Sequence, residues 1–146
     1  MRGRTLVCAL IALAVSSCCG KEAGRVPFAG EGASDITMNL TAGEVAFWTD
    51  IDIEYKGDAA LQYDVELVQS GSTVATVACD PLAELNVKMS WVETNLGDEH
   101  TRRGSGKMHC TATLASGGST TVRAKLGFSR RPVSVRLTKA DLVVKQ

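Results

Sequence analysis

The sequence has few of the groups that enzyme active sites and nucleic-acid surfaces require. It contains only two histidines, His100 and His109, and no G-x-S-x-G, H-E-x-x-H or phosphate-loop motif. Aromatic residues make up 5% of the chain, and they are not interleaved with the basic residues as base-stacking surfaces require. We therefore expect a protein that is not an enzyme and does not bind nucleic acid.

Long apolar segments are absent as well. The longest uninterrupted apolar run, residues 6–15, would cover about 15 Å as a helix, which is roughly half of a bilayer's hydrocarbon core. No segment shows the period of an amphipathic helix. With 146 residues, of which 45% are hydrophobic, the chain is long enough for one domain with a single core.

The apolar run has the flanks of a secretory signal peptide. Two arginines lie ahead of it within residues 1–4, and the small residues Ser16 and Ser17 follow it as a cleavage zone. These small residues lead directly into a cysteine, Cys18. The signal therefore ends on a residue that can carry a covalent modification.

Residues Val15-Ser16-Ser17-Cys18 resemble the lipobox of bacterial lipoproteins, in which an aliphatic and two small residues precede the cysteine that receives diacylglycerol. The resemblance covers the signal only. It implies that residues 1–17 are removed and that lipid on Cys18 anchors the protein to a membrane of the cell envelope. Because Cys19 and not aspartate follows, the resemblance implies the outer membrane in a Gram-negative organism. Cys19 itself is the alternative acceptor, and it fits the pattern less well.

Two of the five cysteines remain once Cys8 of the signal, the anchor Cys18 and Cys19 on the tether are set aside. An exported protein meets an oxidising environment, so we expect Cys79 and Cys110 to form a disulfide. The alternative is a copper site at Met108-His109-Cys110. Consecutive residues of a strand point to opposite faces, which argues against that site. We expect no metal ion or other cofactor beyond the lipid.

From Ser34 onward, apolar and polar residues alternate in nearly every segment, which predicts β-strands. About eight such segments predict an all-β fold, an antiparallel β-sandwich of immunoglobulin-like or jelly-roll-like topology over residues 34–146. The glycine-rich residues 18–33 are expected to form a flexible tether, and the polar residues 93–106 a loop. A slip in the alternation at residues 139–141 predicts a bulge.

Charge is segregated along the chain. Residues 18–87 contain twelve acidic and three basic residues, whereas residues 88–146 contain four acidic and eleven basic ones. We expect strands from the two halves to lie side by side, so that their charges pair within the molecule. The alternative is one acidic and one basic face, of which one meets a charged partner.

One strand carries the most suggestive polar face of the body. If Thr49, Ile51 and Ile53 face the core, the opposite face carries an aromatic ring and three carboxylates: Trp48, Asp50, Asp52 and Glu54. Such a face could bind a sugar or peptide, coordinate Ca²⁺, or hydrolyse glycans with the pair Asp50 and Asp52. The alternative is that cations of neighbouring strands neutralise the carboxylates. The candidates for this pairing are Arg123, Lys125 and Arg136.

A basic cluster, Arg102, Arg103 and Lys107, is a candidate patch for an anionic partner such as lipid headgroups or cell-wall polymer. Four later cations could contribute to the same role: Arg123, Lys125, Arg130 and Arg131. The alternative is that these side chains are solvated at a hairpin tip. The sequence as a whole predicts a lipid-anchored envelope lipoprotein whose sandwich binds or assembles with an envelope protein or a glycan. Carbohydrate binding or glycan hydrolysis at the face of Trp48 is the alternative.

Metabolic labelling with a palmitate analogue tests the lipid acceptor. We expect label in the wild-type protein and in Cys19→Ala, and none in Cys18→Ala, because only Cys18 follows the complete motif. Label that persists in Cys18→Ala and disappears in Cys19→Ala would reassign the acceptor to Cys19.

Overall fold

A computed structural model describes residues 20–146 of the protein. The signal peptide, the proposed acceptor Cys18 and the neighbouring Cys19 lie outside the described residues. Within residues 20–146 the chain forms nine β-strands and no helix, and the strands make two antiparallel sheets that pack face to face. The predicted all-β sandwich is confirmed, with nine strands where about eight were expected.

The strands follow one another with short connections. In chain order they are β1 (Glu22–Val26), β2 (Gly32–Leu40), β3 (Gly43–Lys56), β4 (Ala60–Gln69), β5 (Ser72–Cys79), β6 (Val87–Leu96), β7 (Glu99–Leu114), β8 (Gly118–Arg130) and β9 (Ser134–Lys145). The five-stranded sheet has the order β1-β9-β3-β7-β6, and the four-stranded sheet has the order β2-β8-β4-β5.

The antiparallel pairs are nested along the chain. β1 pairs with β9, β2 with β8, β3 with β7, and the innermost pair is the hairpin of β4 and β5. Successive pairs alternate between the two sheets, which is the strand order of a jelly roll. β6 is an additional edge strand beside β7. The topology is therefore jelly-roll-like and not immunoglobulin-like.

Side chains along each strand point alternately to the two faces of its sheet, and the apolar ones face the space between the sheets, where they form the core. Along β3, the buried Val45, Phe47, Ile51 and Ile53 face the four-stranded sheet. The hairpin between β4 and β5 turns at Ser70 and Gly71, whose φ angles of 50° and 79° match the type I′ turns that suit the twist of paired strands.

Two links cross the core and join the sheets: the hydrogen bonds of a buried tyrosine and a disulfide. The fully buried hydroxyl of Tyr63 on β4 donates to the carbonyl oxygen of Ala140 at 2.9 Å and lies 2.9 Å from Oγ1 of Thr49, both in the five-stranded sheet. The predicted disulfide of Cys79 and Cys110 is present and joins the end of β5 to β7. These hydrogen bonds satisfy the polar hydroxyl of Tyr63 inside the core. Desolvation of the buried hydroxyl raises the pKa of Tyr63.

The folded domain begins before the predicted boundary at Ser34. β1 lies within the proposed tether and pairs with β9 through Val26 and Leu142, and both side chains are fully buried. The backbone of Lys21 also exchanges two hydrogen bonds with Gln146, at 2.7 and 3.1 Å. The prediction of a flexible tether over residues 18–33 is therefore wrong from Lys21 onward. Five residues are too short for a period to stand out against a glycine-rich background.

The polar residues 93–106 form a hairpin and not a loop. β6 continues to Leu96, Gly97 and Asp98 turn the chain, and β7 begins at Glu99. The apolar signal is missing because β6 is an exposed edge strand. The predicted bulge in β9 is present and lies at Thr138, one residue before the predicted segment.

Truncation of Val26 tests whether β1 belongs to the core. We expect Val26→Ala to lower the free energy of unfolding by about 2 kcal/mol, since it removes two buried methyl groups and leaves a cavity. The matched control is Val133→Ala, because Val133 is 81% exposed and its truncation should change the free energy of unfolding by less than about 0.5 kcal/mol. Urea unfolding measures this free energy for both variants. If both variants changed it equally little, residues 20–26 would act as a tether and not as part of the core.

Candidate functional site

The candidate ligand face lies on the outer side of the five-stranded sheet. Trp48, Asp50, Asp52 and Glu54 alternate with the core residues of β3, as predicted. Trp48 is only 1% exposed, however, and Nζ of Lys145 lies 3.8 Å from the centroid of its ring. The prediction that Trp48 offers an open stacking surface for a sugar is wrong, because the ring is already covered.

Each of the three carboxylates faces its own cation. Asp52 lies 3.2 Å from Arg103 on β7, and Glu54 lies 3.0 Å from Arg136 on β9. Asp50 accepts hydrogen bonds from Lys139 at 2.8 Å and from Arg25 at 3.2 Å. The carboxylates are thus ion-paired one by one and do not converge on a common point, as a Ca²⁺ site would require.

Asp50 belongs to a four-charge cluster that also contains Arg25, Lys139 and Asp141. Nη1 of Arg25 lies 3.2 Å from Asp141 as well as from Asp50, and Nζ of Lys139 lies 3.9 Å from Asp141. Partial burial by itself raises the pKa of Asp50, but the hydrogen bonds from Lys139 and Arg25 outweigh it and bring the pKa below its ordinary value. The cluster therefore holds Asp50 ionised.

The predicted basic patch does not form one surface. Arg102 and Arg103 are consecutive on β7 and project to opposite sides of the sheet. Arg102 pairs with Glu93 at 3.2 Å and has a side chain only 11% exposed, whereas Arg103 pairs with Asp52. Lys107 lies opposite Trp48, four residues along the strand. The three cations therefore cannot meet one anionic partner together.

Early and late strands neutralise each other on this sheet. β3, from the acidic half of the chain, lies between β7 and β9, from the basic half. The expectation that charges pair within the molecule is confirmed here, and Arg136 is one of the partners named from the sequence. Arg123 and Lys125, the other two, lie on β8 in the opposite sheet and were predicted wrongly as partners of β3.

Neither a metal centre nor a membrane helix is found in the described part of the chain. Residues 20–146 bring no three His, Cys, Asp or Glu side chains into a metal-binding arrangement. The same residues contain no helix long and apolar enough to span a membrane. Nδ1 of His100 donates a hydrogen bond to Oδ1 of Asn95 at 2.6 Å, and Cys110 is held in the disulfide.

A groove of about 700 Å³ crosses the outer face of the four-stranded sheet. Two rows of side chains form its walls, and each row contains one residue from each strand. From β2 to β5, one row is Asp35, Arg123, Glu66 and Thr76, and the other is Ala33, Lys125, Asp64 and Ala78. Among the described residues, no aromatic side chain lines the groove. We call this feature the cross-strand groove.

Charges in the cross-strand groove are arranged differently from those on the other sheet. Asp35 and Glu66 flank Arg123 in register, and Asp64 is opposite Lys125, yet none of these five side chains lies within 4.0 Å of an opposite charge among the described residues. All five are exposed. The same cross-strand opposition gives closed ion pairs on the five-stranded sheet, so this groove stands out as a place where charges remain available.

Sequence reasoning missed the groove because its sheet joins the hairpin of β4 and β5 to β8 and β2, which are distant from the hairpin along the chain. The available signal was the outward alternation of Asp64 with Glu66 and of Arg123 with Lys125. That alternation shows that each pair shares a face, but it does not show that β4 and β8 are neighbours.

Comparison with known proteins does not supply an identity. No protein-family model matches the chain, and no curated protein matches it significantly. The features of the chain that bear on function are the signal, the jelly roll and the cross-strand groove.

Acidification tests the four-charge cluster. Because the pKa of Asp50 is lowered in the folded state, its ionised form stabilises the fold fully above about pH 4, and this contribution is lost as the pH falls through the lowered pKa. We expect Asp50→Asn to lower the free energy of unfolding by about 1–2 kcal/mol at pH 7, and the difference from wild type to shrink below pH 4.

The matched control is Asp98→Asn, because Asp98 is 62% exposed and lies 4.0 Å from Lys56. Urea unfolding at several pH values measures both variants. A deficit for Asp50→Asn that does not change with pH would show that the charge of Asp50 is not what the cluster uses.

Proposed function

We propose that this protein is a lipid-anchored lipoprotein of the bacterial cell envelope whose jelly-roll domain is a non-catalytic binding module. The observation that carries the binding role is the cross-strand groove, where charges of both signs lie on an exposed face without an ion-pair partner among residues 20–146. The anchor rests on the motif that ends at Cys18, and the choice of the outer membrane rests on Cys19. The partner is an envelope protein, glycan or lipid that the groove can reach.

Asp50 and Asp52 are each ion-paired with cations, and these ion pairs favour a binding role over glycan hydrolysis. A glycosidase needs one carboxyl group with a raised pKa, which donates a proton to the leaving group, beside one that stays ionised. The pKa of Asp50 is lowered, and Asp52 is ion-paired with Arg103. Neither residue supplies the general acid, so the alternative of a glycan hydrolase at this face has no support in the geometry.

The early start of the fold shortens the connection to the membrane. Lys21 already pairs with Gln146, so only Cys18, Cys19 and Gly20 separate the proposed lipid from the first sheet hydrogen bonds. Three residues span at most about 10 Å. The binding module would thus sit against the membrane surface and not at the end of a long tether.

Site-specific photo-cross-linking in cells tests this function. A photoreactive residue in place of Thr76, inside the cross-strand groove, should give envelope adducts. The matched position is Thr111, an exposed threonine on the five-stranded sheet, which should not. The adducts at Thr76 should also diminish in a Cys18→Ala background, because the module then loses its anchor. Absence of adducts at Thr76, or equal yields at both positions, would contradict a binding role for the groove.

A further inference from the structure

The unpaired charges of the cross-strand groove form two clamps. Arg123 and Lys125 stand two residues apart on β8, on opposite walls of the groove, and Glu66 and Asp64 stand in the same way on β4. Residues two apart on a strand are separated by about 7 Å. A group midway between the walls therefore lies about 3.5 Å from each, which is the distance of an ion pair. The first clamp suits an anion and the second suits a cation.

The spacing of the two clamps sets the length of the ligand. β8 and β4 are hydrogen-bonded neighbours whose backbones lie about 4.8 Å apart, and side chains that rise in parallel from them would hold the anion and the cation at a similar separation. An α-amino acid holds its two charges only two bonds apart, which is too short to reach both clamps. Four bonds of about 1.5 Å, zigzagging at each atom, span this distance. Phosphorus and nitrogen in phosphoethanolamine are separated by four bonds.

We propose that the cross-strand groove binds the phosphoethanolamine group of membrane phospholipids, with the phosphate between Arg123 and Lys125 and the ammonium between Asp64 and Glu66. Guanidinium and ammonium donors are the usual partners of phosphate oxygens. This inference rests on the proposed function, which holds the module within about 10 Å of the bilayer. Because the module lies so close to the bilayer, a phospholipid, and not a soluble ester, is the expected source of the phosphoethanolamine group.

The surroundings of the groove's carboxylates favour a primary ammonium over other cations. Nε2 of Gln62 donates to Oδ1 of Asp64 at 2.6 Å and orients that carboxylate. An ammonium group has three N–H donors that carboxylates can accept, whereas the quaternary ammonium of choline is bound by aromatic rings. None of the described residues that line the groove is aromatic. Asp35, on the far side of Arg123, adds a third carboxylate and disfavours polyanions.

Isothermal titration calorimetry on the full chain in detergent tests the ligand class. We expect glycerophosphoethanolamine to bind at least tenfold more tightly than glycerophosphocholine, glycerol 3-phosphate or ethanolamine, because only the first fills both clamps. Lys125→Met should weaken its binding about tenfold. Glu66→Gln should remove most of its advantage over glycerol 3-phosphate. Arg136→Gln, a matched loss of charge on the other sheet, should change nothing.

Vesicles test the source of the group. Lys125→Met and wild type carry the same anchor, so any difference between them reports the groove. We expect wild type to bind phosphatidylethanolamine vesicles better than the variant, and the two to bind phosphatidylcholine vesicles equally. A difference confined to the soluble ester would overturn the lipid as the source.

Other outcomes overturn the ligand class itself. The two-clamp arrangement would be excluded if glycerol 3-phosphate bound as tightly as glycerophosphoethanolamine. It would also be excluded if Lys125→Met left the binding of glycerophosphoethanolamine intact. Absence of heat with every probe would exclude the phosphoethanolamine group as the ligand. Cross-linking at Thr76 distinguishes failure of this ligand assignment from failure of the proposed binding function. Adducts that persist would leave a binding groove with a different ligand, whereas their absence would remove the groove's role altogether.

Discussion

The register of β3 between β7 and β9 controls what the outer surfaces of this protein can do. It sets Asp52 against Arg103 and Glu54 against Arg136, and it brings Asp50 within reach of Lys139 and Arg25. Three carboxylates that could have formed a site are thereby used in ion pairs. Each exposed pair contributes little stability by itself. Their combined effect is to neutralise the three carboxylates of β3, whereas the charges of the cross-strand groove on the opposite sheet have no such partners among residues 20–146.

Nested strand pairing explains both the position of the groove and the early start of the domain. In a jelly roll the first strand pairs with the last, and β1 therefore completes the five-stranded sheet beside β9. The same rule sets β2 beside β8 and joins four strands into the sheet that carries the groove. Tyr63 and the disulfide hold the two sheets in fixed relation, because each joins a residue of one sheet to the other. A groove on one face is thus supported by a core that is tied at two points.

The parts of the structure that depend on local sequence could be predicted. Alternation identified most strands and the inward rows, turn residues such as Ser70 and Gly71 marked the hairpins, and the export signal indicated a disulfide for Cys79 and Cys110. Prediction failed where a strand buries little. β1 is short, and β6 is an edge strand that is exposed along most of its length. The alternation of hydrophobic and polar residues records burial, so a strand with little burial leaves a weak pattern.

The sequence by itself determined the strand period, the face to which each side chain of a strand points, and the cysteines available for pairing, because these follow from covalent geometry and local burial. Tertiary structure alone decided which strands are neighbours. Arg123 and Lys125 illustrate the difference: their outward direction was readable, but their position beside Asp64 and Glu66, and not beside Asp50, depends on strand pairs separated by some sixty residues. Neighbours so distant are selected by packing of the whole core, which no local pattern records.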